Sequence, residues 1–235
     1  MTAALRVGLL DSGIDPTMIQ EKWPCRSFSL GEDGSLLAND DGAPDLIGHG
    51  SALARIILQA EPEARLAVAR VFHDKFACTP AAAAAGLDWL VKQGARIVNM
   101  SFGLREDRAV LREACERAVE SGVILLGSAP ARGPGVYPSL YDGVIRISGD
   151  ARLGPGEIST LGGRQADFGA CPRPMEAARG GPVGGASFAV AHATAISVRF
   201  LEANPDAGAA GLCDHLSAIA HFHGPERRTA NAKAT

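Results

Sequence analysis

Ala95-Arg96-Ile97-Val98-Asn99-Met100-Ser101-Phe102-Gly103 reads as a buried strand that runs out into a turn. A helical pattern lies on each side of it. Upstream, Pro80 to Gln93 is alanine-rich, with Leu87, Leu90 and Val91 on one face. Thr79 is its N-cap, Pro80 its first residue and Gly94 its stop. Downstream, Glu106 to Glu120 is a charged amphipathic helix closed by Ser121-Gly122. Working outward, Arg65 to Phe72, Val123 to Leu126 and Val144 to Ser148 carry strand patterns, and Ala52 to Ala60 a helical one. The first strand, Leu5 to Leu10, stops at Asp11-Ser12-Gly13. Strand and helix alternate, which predicts an α/β fold: a mostly parallel central sheet with helices on both faces, hence three layers. Residues 20–48 are polar, lack periodicity and read as a solvated loop. Asp33, Asp40, Asp41 and Asp45 fall there without the spacing of an EF-hand.

Composition narrows the function. The 235 residues, 46% of them hydrophobic, suffice for one large core. No linker or repeat interrupts them, so a single domain is expected over 1–223. The Arg-, Lys- and Ala-rich stretch 224–235 reads as a disordered tail. A net charge of −3 without a basic stripe argues against nucleic acid or a membrane surface as partner. Cys25, Cys78, Cys115, Cys171 and Cys213 are scattered, with no Cys-x-x-Cys pair, which fits a reducing compartment. The N-terminus has no secretion signal pattern, and no apolar run is long enough to span a bilayer. A cytoplasmic location is therefore expected, with no metal and no cofactor. His221 and His223 lack a third ligand, His192 reads as structural, and a reactive role for Cys171 would need an activation that sequence does not show.

Three polar residues sit where a doubly wound sheet gathers chemistry. Asp11 closes the first strand. His49 lies between Gly48 and Gly50 at the start of a helix, where small neighbours admit close approach. Ser187, in Gly184-Gly185-Ala186-Ser187-Phe188-Ala189-Val190-Ala191-His192, opens a long apolar helix running to Phe200. A hydroxyl in that first turn lies among N–H groups without intrahelical partners, at the positive end of the helix dipole. That is a favourable place for a nucleophile whose reaction creates an oxyanion. Each residue alone has an ordinary alternative: a turn aspartate, a helix-start histidine, an N-cap serine.

Taken together and in the order Asp, His, Ser, the segments resemble those of the subtilisin-like serine proteases. Val7-Gly8-Leu9-Leu10-Asp11-Ser12-Gly13-Ile14 is similar to the family's aspartate segment and Gly48-His49-Gly50-Ser51 to its histidine segment. Gly185 to His192 resembles the serine segment Gly-Thr-Ser-Met-Ala-x-Pro-His. Ile97 to Gly103 resembles the strand lining the substrate cleft, and Tyr137-Pro138 a Tyr-Pro near the specificity pocket that is often cis. The similarity runs from about Leu5 to about Phe200. It implies a subtilisin-like sandwich and a triad of Asp11, His49 and Ser187. It also implies an extended peptide or protein substrate beside Ser101, Phe102 and Gly103, with Gly127, Ser128 and Ala129 walling a side-chain pocket.

The pattern breaks in two places. The family's oxyanion asparagine follows the strand Val123 to Leu126; here the segment is Gly127-Ser128-Ala129-Pro130-Ala131-Arg132-Gly133, with Pro130 at that position. Proline has no N–H to donate. The threonine before the family's serine is Ala186. The Ser187 backbone N–H remains as an oxyanion donor, with Ser128 or Arg132 as nearby candidates for a second. Two functions follow: a slow, selective endopeptidase of the cytoplasm that removes a leader peptide from a precursor, or a pseudoprotease that binds peptides without turnover. An esterase is disfavoured because Ser187 lacks the Gly-x-Ser-x-Gly elbow. With the first strand starting so near Met1, no N-terminal propeptide is expected.

Overall fold

Strand β1, Arg6–Asp11, shows why the sheet forms as it does. It pairs in parallel with β4 (Arg65–Arg70) on one side and β5 (Ile97–Met100) on the other. A strand flanked on both sides and covered on both faces has no wet face, so its apolar run is continuous. Val7, Leu9 and Leu10 are accordingly all fully buried. Side-chain direction still alternates: Val7 and Leu9 join one core cluster, Leu10 the other.

The computed structural model describes residues 5–19, 23–74, 77–175 and 184–225. It contains one ten-stranded sheet ordered β10-β8-β9-β7-β6-β5-β1-β4-β2-β3. The remaining strands are β2 (Cys25–Leu30), β3 (Leu36–Asn39), β6 (Ile124–Ser128), β7 (Val144–Gly149), β8 (Ile158–Thr160), β9 (Phe168–Ala170) and β10 (Phe222–His223). Pairing is parallel except for β2 with β3 and β8 with β9. Helices α1 (His49–Ala60), α4 (Ala186–Ala203) and α5 (Ala209–Ala218) enclose one core with the sheet. Helices α2 (Pro80–Lys92) and α3 (Ala109–Glu120) enclose the other. Among the described residues no helix is long and apolar enough to cross a membrane.

The expected helices and strands of the central sheet appear. Thr79 caps α2 by accepting from Ala82 N at 3.2 Å, and Gly94 follows the helix with φ 78°. The supposed loop 20–48 is a correction, for it contains β2 and β3. Its alternation is masked because β2 turns Ser27, a polar residue, into the interior, where the hydroxyl donates to Asp41 Oδ1 at 2.6 Å. Short β8 and β9 and helix α5 also lie beyond the sequence reading. Of the expected tail, Gly224 and Pro225 are described, and 226–235 lie outside the described residues.

Connectivity places the site. From β1 the chain first forms β2 and β3 at the sheet edge, returns through α1 to β4 beside β1, and then passes through α2 across β1 to β5. Crossovers therefore leave β1 in both directions, a switch point that opens a crevice at the strands' carboxyl ends. Asp11, the last residue of β1, stands at that crevice.

Candidate active site

The period-2 alternation of β1 sends Asp11 to the same face as Val7 and Leu9, the face covered by α1. His49 is the first residue of α1, entered through Gly48 with φ 86°. Its Nδ1 lies 2.7 Å from Asp11 Oδ1. An ionised carboxylate only accepts, so Nδ1 carries the proton and Nε2 is the accepting nitrogen of the neutral ring. Asp11 is fully buried; Oδ1 also accepts from Ser12 N at 2.8 Å, while Oδ2 is buried without a hydrogen-bond partner. Burial opposes the charged imidazolium of His49. The Asp11 hydrogen bond and charge, together with the charge of Asp45, outweigh it and hold the pKa above the usual 6.5.

Asp45 was one of four aspartates in the supposed loop, and its role was not legible in the sequence. Its carboxylate accepts from Gly48 N at 2.7 Å and Ile47 N at 3.0 Å on Oδ1, and from Ser51 N at 2.8 Å on Oδ2. The hydroxyls of Ser12 and Ser51 donate to it as well, at 2.9 and 2.6 Å. Ser12 Oγ in turn accepts from Gly50 N at 2.9 Å. One carboxylate thus joins the end of β1 to the start of α1, and so fixes His49 against Asp11. The two segments approach so closely that a Cβ on Gly50 would lie 2.2 Å from Gly13 O.

Alternation also governs β5. Ile97, Asn99 and Ser101 face α4, while Val98 and Met100 enter the opposite core. Asn99 Nδ2 donates to Thr194 Oγ1 at 3.2 Å, and Thr194 Oγ1 donates to Val190 O at 2.8 Å. Ser101 Oγ donates to Asn99 Oδ1 at 2.7 Å and lies 3.2 Å from the Ser187 carbonyl. This buried polar chain ties the first turns of α4 to the end of β5. Ser187 lies in the first turn of α4, whose N-cap, Gly185, supplies no side-chain cap. Its hydroxyl donates to Ser101 O at 3.1 Å. Phe188 sets its ring 6.0 Å from that of His49.

A cavity of about 600 Å³ is lined by His49, Ser187, Cys78 and the expected cleft residues Ser101, Phe102 and Gly103. Beyond Gly103, Leu104 and Tyr137 exchange backbone hydrogen bonds, and the Tyr137–Pro138 peptide is cis. A second cavity, of about 850 Å³, adjoins the start of α4 at Gly184, Gly185 and Ala186. Gly127 is packed under Ser139 and Val144, Ala129 is buried and bonded through its N–H to Ile147 O, and Ser128 ends β6 half-buried. Just downstream, Pro130, Ala131 and Arg132 line the second cavity. His192 is buried, its Nε2 2.9 Å from Arg173 O, and burial lowers its pKa. His223 Nδ1 lies 2.9 Å from Thr160 Oγ1.

A parallel sheet between two helical layers, with Asp11, His49 and Ser187 brought to one crevice, defines a subtilisin-like α/β protein. The chain belongs to the subtilase family, whose model matches residues 2–221. Subtilisin DY of Bacillus licheniformis is 27% identical over 177 residues, 68% of this chain and 62% of that protein. The chain spans between 23% and 62% of the length of the first curated relatives it matches. Among solved structures, the proteases from Pseudoalteromonas arctica PAMC 21717 superpose with a TM-score of 0.71 at 16% identity, over 95% of this chain and 88% of theirs. The prenylagaramide maturation protease PagA superposes with a TM-score of 0.57 at 19% identity, over 86% of this chain and 77% of its own.

Proposed function

We propose that this chain is a serine endopeptidase with Asp11, His49 and Ser187 as its triad. The observation that carries the reading is the 2.7 Å Asp11–His49 contact, which makes Nε2 the basic nitrogen in a cavity shared with Ser187. Rotation about the Ser187 Cα–Cβ bond turns its hydroxyl from Ser101 O toward that cavity. His49 Nε2 then accepts the Ser187 proton as Oγ bonds to the scissile carbonyl carbon. The resulting oxyanion is held by the Ser187 N–H at the uncapped start of α4. Collapse of the tetrahedral intermediate breaks the C–N bond, and the imidazolium returns the proton to the leaving amine. Water, deprotonated by His49, releases the acyl group and restores Ser187.

Pro130 in place of the amide donor leaves the oxyanion less supported; loss of one such donor lowers turnover about 10²–10³-fold. A slow enzyme suits selective maturation better than general digestion. We therefore propose a leader-bearing precursor as substrate, such as the small subunit of bacterial quinohemoprotein amine dehydrogenase, and a reducing compartment as the setting, in keeping with five free cysteines. Incubation with such precursors, read by mass, is expected to give one cleavage with wild type and none with Ser187→Ala. A second reading, a peptide-binding pseudoprotease, draws on the engagement of the Ser187 hydroxyl by Ser101 O. Binding of precursor by folded wild-type protein without any cleavage would favour it.

A further inference from the structure

The second cavity carries charges that the triad chemistry does not use. It lies between the segment after β6, the end of β7, the loop 161–166 and the start of α4. Arg132 and Arg164 both line it, and among the described residues neither forms an ion pair or a side-chain hydrogen bond. Asp150 is the acidic residue on its wall. That carboxylate is already held by Arg152, at 2.9 and 2.6 Å, and by Ser159 Oγ at 2.8 Å, so it leaves the two arginines uncompensated. Ser148, on the same wall, is 2% exposed, and among the described residues its Oγ has no hydrogen-bond partner. The uncapped N-terminus of the 18-residue helix α4 adds positive potential at Gly185 and Ala186. Two exposed arginines and a helix start lining one void favour an anion.

Gly185 lines this cavity and the one holding His49 and Ser187. A peptide crossing Ser187 therefore has a side chain beside the second cavity. We propose that Arg132 and Arg164 select a substrate carrying an Asp or Glu side chain next to the scissile bond. This rests on the peptidase reading given above, but the binding of an acidic peptide does not require turnover. Charge-assisted hydrogen bonds to guanidinium are stronger than neutral ones, and the expected selectivity is about tenfold or more.

The test uses the full chain and peptides amidated at the C-terminus. With Ser187→Ala, fluorescence anisotropy compares peptides bearing Asp or Glu at each position flanking the cleavage point with their Asn or Gln isosteres. With wild type, kcat/KM is compared over the same pairs. Acidic peptides are expected to bind and react about tenfold or more better. The ratio should fall toward one in an Arg132→Gln/Arg164→Gln double variant and should turn in favour of Lys or Arg in Arg132→Glu/Arg164→Glu. Equal binding of acidic and amide peptides would overturn the proposal, as would a double variant that slows every peptide alike, which would place the arginines at the oxyanion. Acid-selective binding by Ser187→Ala without wild-type cleavage would fail the peptidase reading and leave the anion site standing.

Discussion

At the scale of single residues, Asp45 couples the geometry of His49 to its charge. Burial would raise the Asp45 pKa, but hydrogen bonds from Ser51, Gly48 and Ser12 outweigh it, and the carboxyl titrates below its usual 3.8. A depressed carboxylate stabilises the fold above the unfolded pKa, and that contribution is lost as pH falls through the folded value. In Asp45→Asn the network loses its charge-assisted bonds, and chemical denaturation should show a loss of about 1–3 kcal/mol at neutral pH. The same substitution removes a charge that raises the His49 pKa. The acid limb of the pH–activity profile should therefore move to lower pH; an unmoved limb would mean that Asp45 acts on stability alone. None of this was legible in the sequence. Asp11, His49 and Ser187 stand out because each marks an element end beside small residues. Asp45 is one of four similar aspartates, and its partners are assigned only once β1 and α1 meet. Asn99 and Thr194, 95 positions apart, were hidden for the same reason.

At the scale of elements, the site depends on how closely the turn after β1 packs beneath the start of α1. Gly13 has φ 107°, and a Cβ there would lie 2.3 Å from Ala43 O. Gly50 has no backbone strain but no space either, since the obstacle is backbone of the Gly13 turn. Gly50→Ala should displace α1, lengthen the Gly50 N–H bond to Ser12 Oγ and destabilise the protein by about 1–3 kcal/mol. Its kcat should fall more than its KM changes, because His49 moves with the helix while the Ser101–Gly103 wall stays. Thermal unfolding and steady-state kinetics check the two halves of that expectation. Helices α2, α3 and α4 and the central strands were readable because a doubly covered strand is apolar throughout and each helix has its own period and stop. Strands β2 and β3 were not: β2 becomes a strand by pairing with β4, Cys25 with Val68 and Ser27 with Arg70, 43 residues away in sequence, and β3 by pairing with β2.

At the scale of the whole molecule, the fold shelters the protein's thiols: Cys115 and Cys171 are buried, and Cys25, Cys78 and Cys213 are half-buried. Burial first, with nearby carboxylates adding to it, pushes Cys25 up to about 11 and Cys78 and Cys115 up to about 12. Each unit lowers the thiolate fraction about tenfold at a given pH. At pH 8 these three thiols should therefore react with iodoacetamide far more slowly in the folded protein than in urea, and reductant should leave Tm unchanged. Fast native alkylation of Cys78, which lines the cavity shared by His49 and Ser187, would show that the cleft opens more widely than described. The fold brings Ser187 to the carboxyl edge of the sheet, and the central claim is that His49 and Asp11 activate it. The most direct test is intact mass after treatment with a fluorophosphonate. Wild type should gain one adduct, mapped to Ser187, and Ser187→Ala none, with labelling slowed by His49→Ala and by Asp11→Asn. Folded wild-type protein that gains no adduct, or gains one at the same rate without His49, would contradict the account.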